Sequence, residues 1–200
     1  PVLNSGADVL VLNHYGGNMV NSLTNAVQFG LRDKVVNNKN FEIIVPLYSR
    51  LMAKGAGANV KGIFGSTNWH WSLQDEGSKA FVKSFGTKYG FPPSQAAHTV
   101  YCQTLLYADA CNRAGTFNPC GVGEALEGFE FDGLGNGKTL YRADDHQCFK
   151  DVLVVKGKEN PTSEFDLLEI VEVTPMEQVK YAPDHPMFAG GDLGACNPGA

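Results

Sequence analysis

Charge of either sign is scarce in this sequence. Only 18% of its 200 residues are charged, 16 Lys and Arg against 21 Asp and Glu, for a net charge of −5. Nowhere do Lys or Arg form a run, so the chain has no electrostatic patch for nucleic acid or an anionic lipid surface, and neither is expected as a partner. Long apolar stretches are also missing. Runs such as Val9–Leu12 are strand-sized, whereas a membrane-spanning helix needs roughly 20 residues, so no membrane insertion is expected. The sequence begins at Pro1 without an initiator Met and without a basic segment leading into an apolar core. No secretory signal can be read, and missing upstream sequence is the expectation. The five cysteines include no CxxC pair, and the histidines at 14, 70, 98, 146 and 185 show no metal-ligand spacing beyond His146 beside Cys148. No metal or cofactor is therefore expected. No GxSxG elbow or other nucleophile signature is present, since Gly62–Ser66 lacks the frame, and no enzyme activity is expected.

What is present suits a folded α/β protein, with 43% hydrophobic residues and 23 glycines that punctuate the elements. The apolar run Asp8–Leu12 reads as a parallel strand buried on both faces. Val20, Leu23 and Val27 then recur at helical spacing up to Gly30. Phe41–Val45 is a second strand ended by Pro46, Leu47–Lys54 a second helix, and Val60–Phe64 a third strand. Further on, Asp75–Tyr89 carries Phe81 and Phe85 on one face, and Ala97, Tyr101, Leu105 and Ala108 form the stripe of another helix ending at Gly115. A short helix Gly121–Glu127, a hairpin over 129–142, and strands over 151–155 and 167–173 complete the pattern, followed by a Pro- and Gly-rich tail from Pro175. The segment Gly133–Thr139 imitates a phosphate-binding loop. It has Asp132 where the first glycine belongs, and its Lys-Thr opens a strand rather than a helix, so it reads as the hairpin turn.

Two segments carry ligand-binding chemistry. Asn13-His14-Tyr15-Gly16-Gly17-Asn18 follows the first strand directly, and in open parallel sheets ligands sit outside the carboxyl ends of the strands. Ser66-Thr67-Asn68-Trp69-His70-Trp71 follows the third and pairs aromatic area with amide and hydroxyl groups, which suits a pocket for a small organic molecule. Tyr15, Asn18 and Trp69 are expected to contact ligand, with His14 and Asn68 contributing. By contrast, Asp144, Asp145 and His146 alternate faces on extended chain and cannot converge on one atom. Of the cysteines, Cys111 is expected to pack as a small apolar residue, while Cys120 and Cys148 flank the hairpin and are the expected disulfide pair.

The order of elements resembles the type I periplasmic binding proteins, in the branch of leucine/isoleucine/valine-binding proteins and amide or urea receptors. The resemblance rests on Gly6–Leu12 with Tyr15-Gly16-Gly17, on Ala110–Thr116 followed by Ala125–Gly128, and on Tyr141–Gln147. It implies two α/β lobes of parallel sheets flanked by helices, joined by hinge crossings, with the opening part of the first lobe absent. Residues 1–66 would be second-lobe chain, 67–71 a hinge, 72–150 the return through the first lobe, 151–174 the final crossing and a second-lobe strand, and 175–200 a tail. The implied function is capture of a small organic ligand between the lobes, a branched-chain amino acid, an amide or a small aromatic or carboxylic acid. Delivery to an ABC transporter permease in the periplasm is implied with it. A cytoplasmic ligand-sensing regulator of the same fold is the alternative. The chain departs from the amino-acid binders in having Gly57, Ala58 and Asn59 where an acidic residue would hold the ligand's ammonium. That makes a neutral amide, a carboxylic acid or an aromatic acid at least as plausible as a branched-chain amino acid, because an ammonium buried without a countercharge is costly; Asn18 and Asn59 are candidates for binding neutral polar groups instead.

Overall fold

The computed structural model describes residues 2–186 and Cys196. The chain opens with β1 (Val9–Val11) and α1 (Gly16–Gln28), then a tight hairpin of β2 (Val35–Val36) and β3 (Lys39–Asn40). The turn residues Asn37 and Asn38 both take positive φ, as two-residue hairpins require. After it come β4 (Glu42–Val45), α2 (Arg50–Ala56) and β5 (Phe64–Thr67). Three helices follow, α3 (Glu76–Tyr89), α4 (Gln95–Ala114) and α5 (Pro119–Leu126), and then a three-stranded meander of β6 (Glu130–Phe131), β7 (Thr139–Tyr141) and β8 (Cys148–Phe149). Last are β9 (Val152–Gly157), β10 (Leu168–Thr174) and the short α6 (Met176–Val179).

The main sheet has the order β1-β4-β5-β9-β10. Strands β1, β4 and β5 run parallel, β9 lies antiparallel to β5, and β10 antiparallel to β9. Chain from both ends of the described sequence thus builds one sheet, and residues 72–150 form the helices and meander beside it. Burial alternates along β9, where Leu153 and Val155 point inward. They meet Ile43 and Val45 of β4 and Met19 and Leu23 of α1 in one core. Burying each such side chain contributes about 1.5–3 kcal/mol.

Local chemistry fixes where the helices start and stop. Ser49, Asp75, Ser94 and Asn118 cap α2, α3, α4 and α5 by accepting a backbone N–H two or three residues on. Gly90 and Gly115 end α3 and α4 in the left-handed region. The cap at Ser49 starts α2 at Arg50, three residues later than the apolar pattern suggested.

Three sequence expectations are corrected. Strand β5 begins at Phe64, not Val60, because Gly62 takes positive φ and residues 57–60 wind into a 3₁₀ turn. Strand β1 is not buried on both faces, since Val9 and Val11 are 42% and 49% exposed. On α4 the buried face is His98, Cys102, Leu106, Ala110 and Cys111. Tyr101 and Leu105 of the expected stripe stay 40% and 43% exposed. Side-chain chemistry set that register: the His98 ring stacks on Trp69 at 4.3 Å, and its Nε2 donates to the Leu134 carbonyl at 2.7 Å.

Candidate functional site

The carboxyl ends of β1, β4 and β5 open toward the first turns of α4. Between them lies a cleft of about 540 Å³, walled on the sheet side by Tyr15, Leu47 and Ser66 and on the helix side by Gln95, Thr99 and Val100. Asn68 bridges the two walls, its Nδ2 donating to Thr99 Oγ1 at 3.3 Å. The Ser66 hydroxyl donates to the Pro46 carbonyl at 2.5 Å, which holds the β4 and β5 ends together. Gly65 allows this closeness. A Cβ there would lie 2.3 Å from the Val45 carbonyl and 2.6 Å from the Tyr48 ring. Among the described residues no Asp, Glu, Lys, Arg or His lines this cleft. Gln95 Oε1 is buried and has no donor among the described residues.

The structure brings Tyr15 and Asn68 together and separates the other expected residues from them. His14 faces a different cavity of about 480 Å³, lined by Leu12, Phe29 and Leu31, and its Nδ1 shares a hydrogen with Ser22 Oγ at 2.8 Å. Asn18 is exposed on α1 and lines no cavity among those described. Asn59 sits in the 3₁₀ turn, donating to Thr24 Oγ1 at 3.2 Å.

Trp69 is corrected from ligand contact to core. It is 1% exposed, its indole N–H donates to Ser78 Oγ at 2.9 Å, and it stacks on His98 and meets Phe81 edge-on. Alternation past the strand end sends Asn68 to the cleft and Trp69 behind its wall. The α4 residues Gln95, Thr99 and Val100 escaped the sequence reading because they come from a distant segment with no motif. Their one local signal is the Ser94 cap that places the helix start there.

The hairpin loop supports the cleft from below. Asn136, 4% exposed and with φ of 60°, donates through Nδ2 to the backbone carbonyls of Asn68 at 2.6 Å and Asp151 at 2.8 Å. The glycines that imitate a phosphate loop serve this turn, and Gly133, Gly135 and Gly137 all take positive φ.

A second cavity of about 440 Å³ adjoins the first, sharing Asn68, Thr99 and Val152, and contains Cys102, Cys148 and Lys150. The expected Cys120–Cys148 bridge is corrected: Cys120 pairs with Cys196, and Cys148 is a free thiol within reach of Gln103 Nε2. Strand β8 carries Cys148 toward α4, away from the start of α5 where Cys120 lies. Cys111 is buried in α4 against Val122 as a small apolar group.

Cys102 and His98 are in contact, Sγ to Nε2 at 3.3 Å, yet they are not an activated nucleophile and base. Burial raises the Cys102 thiol, with Lys150 pulling weakly the other way. Burial lowers His98 to about 4, against the bond to Leu134 that favours its charge. An activated pair needs both shifts reversed. Asp145 is held by Arg142 at 2.5 Å, while His146 meets Glu127 at 2.9 Å, so these two point to separate partners. Among the described residues no group of three His, Cys, Asp or Glu is placed to hold a metal, and no helix is long and apolar enough to cross a membrane.

A sequence profile described as periplasmic binding protein matches residues 2–162. A search of curated protein sequences gave no match. Solved structures agree closely in fold. An amino acid ABC transporter substrate-binding protein from Pseudomonas fluorescens Pf-5 superposes with a TM-score of 0.74 at 23% identity, over 87% of this chain and 46% of that one. A branched chain amino acid ABC transporter periplasmic ligand-binding protein from Burkholderia xenovorans LB400 gives 0.70 at 25% identity, over 87% and 46%. A solute binding protein of an ABC transporter from Rhodopseudomonas palustris BisB5, in complex with 3,4-dihydroxy benzoic acid, gives 0.71 at 14% identity, over 86% and 46%. The chain spans a little under half the length of these proteins.

Proposed function

We propose, for a chain that belongs to the periplasmic binding protein family, that it forms part of a solute-binding protein that holds a small organic molecule in the cleft between the ends of β1, β4 and β5 and the start of α4. The whole protein would deliver that molecule to an ABC transporter permease from the periplasm. In this reading residues 1–66 and the strands within 151–174 belong to one lobe, 72–150 return through the other, and 67–71 form the hinge. Binding proteins of this architecture work by hinge closure on the ligand.

The observation that carries the proposal is the uncharged lining of the cleft, with one buried amide oxygen, Gln95 Oε1, left without a donor. Leu47 and Val100 supply apolar area, Tyr15 a ring, and Asn68, Thr99 and Gln95 neutral polar groups. A buried ammonium or carboxylate would find no countercharge against this wall and would cost several kcal/mol. The part of the ligand lying here is therefore uncharged: an aliphatic or aromatic body whose neutral polar groups face Asn68 and Thr99. Calorimetry on full-length protein tests this. Tyr15→Ala and Asn68→Ala should each weaken binding of the co-purified solute about tenfold or more, as loss of an aromatic anchor or an orienting amide does. Unchanged affinity in both folded variants would remove the cleft from the binding site.

A further inference from the structure

Three buried side chains, Arg50, His70 and Trp71, carry nitrogens without hydrogen-bond partners among the described residues. The Arg50 side chain is 5% exposed, and Nε and Nη1 have no acceptor among the described residues. The guanidinium lies 5.7 Å from the Phe91 ring centre and 5.3 Å from that of Phe165. Those two rings, with Trp71 and Ser163, line a groove of about 380 Å³ that shares no lining residue with the cleft. The indole N–H of Trp71 is likewise buried without an acceptor.

His70, 3% exposed, is next to it, the two rings 5.6 Å apart. The Ser72 backbone N–H donates to His70 Nδ1 at 3.3 Å, so Nδ1 carries the lone pair and the buried Nε2 carries the hydrogen. Nε2 also lacks a partner among the described residues. Burial, then the charges of Lys158 and Arg50, lower His70 to about 4, and Asp166 only partly opposes them. The ring is therefore neutral at physiological pH.

All four orphaned groups are thus N–H donors, and two of them belong to the Arg50 cation. Water alone suits this poorly, because each water offers two lone pairs but brings two hydrogens that need acceptors of their own. The nearby acids are committed elsewhere: Glu164 pairs with Lys54 at 3.1 Å, and Asp166 with Lys158 at 2.6 Å and Thr162 at 2.6 Å. A small oxyanion supplies negative charge and several acceptor lone pairs at once.

We propose that Arg50, His70 and Trp71, roofed by Phe91 and Phe165, form a second binding site that takes a small oxyanion, a carboxylate or a phosphate.

The test uses nitrogen-15-labelled full-length protein. The Trp71 indole N–H and Arg50 Nε–H resonances are followed while sodium acetate or inorganic phosphate is added, beside a sodium chloride series at matched ionic strength. Saturable displacement of both resonances in the acetate or the phosphate series is expected, and the series that responds names the oxyanion. Arg50→Lys, which keeps the charge and loses the Nε and Nη1 donors, should raise the half-saturation concentration at least tenfold. No displacement in either series, or the same unsaturated drift in chloride, would overturn the proposal. The wild-type titrations decide this even if the variant fails to fold.

Discussion

Replacing Asn136 should release the loop that carries Asn68 into the cleft. Its amide donates to two backbone carbonyls, of Asn68 and Asp151, from a side chain only 4% exposed. Truncation to Ala leaves both carbonyls short of a donor, which costs about 2 kcal/mol for two modest bonds and their desolvated acceptors. The backbone adds to this, because φ of 60° is tolerated by Asn but costs Ala about 1 kcal/mol or more. Asn136→Ala should therefore destabilise full-length protein by about 3 kcal/mol. Asn136→Gly relieves the backbone and loses only the bonds, so it should cost about 2 kcal/mol. Urea unfolding of the two variants separates the terms, and solute affinity should fall in both because Asn68 is no longer held. If Asn136→Ala unfolds within about 0.5 kcal/mol of the parent, the hairpin loop does not brace the cleft.

Other consequences are as direct. Trp69→Phe removes the N–H bonded to Ser78 and should cost about 1–2 kcal/mol of stability while leaving solute affinity within a few fold; a tenfold affinity loss in folded protein would return Trp69 to the site. His70 has its folded pKa lowered to about 4 from the ordinary 6.5, so the unfolded chain binds the extra proton between those values. His98 is lowered alike, so stability should be full above about pH 6.5 and fall by up to about 3 kcal/mol for each of the two as pH drops to about 4. A flat unfolding free energy across that window would show both rings to be solvated. Cys120→Ser should lower stability by about 4 kcal/mol in the chain-entropy view of a bridge spanning 76 positions, whereas Cys148→Ser should leave the disulfide intact; peptide mass mapping that pairs Cys148 with Cys120 would contradict this.

Periodic and capping signals made much of the fold legible. The helix over Asp75–Tyr89, the helix stop at Gly115 and the strand over 151–155 act through neighbours a few residues away, which a sequence displays openly, whereas the Asn118 cap starts α5 at Pro119, two residues before the helix expected at Gly121. The misreadings came where distant chain decides. Val60–Phe64 looks like a strand until Gly62 meets Gly157 and the turn at 57–60 closes. The face of α4 was misjudged because His98 and Cys102 are buried by partners on other segments, Trp69 and Leu134. Tyr15 and Asn68 could be placed beside the cleft because both follow strand ends, which open on one crevice of a parallel sheet. Gln95, Thr99 and Val100 were not, since nothing in a helix sequence states which sheet edge it will face. Trp69 misled for a related reason: an aromatic just past a strand end serves a pocket or a core equally well, and one residue of register decides which.

Native mass spectrometry of gently purified full-length protein, with the released solute identified and then followed by calorimetry, tests the central claim most directly. A single small organic molecule should be found at one per chain and recovered chemically unchanged after incubation. Leu47→Glu, which puts a charge into the neutral wall of the cleft, should weaken its binding at least a hundredfold, about 2.7 kcal/mol. Conversion of the molecule to product, or full affinity in a folded Leu47→Glu variant, would contradict the assignment of this cleft as an uncharged solute-binding site.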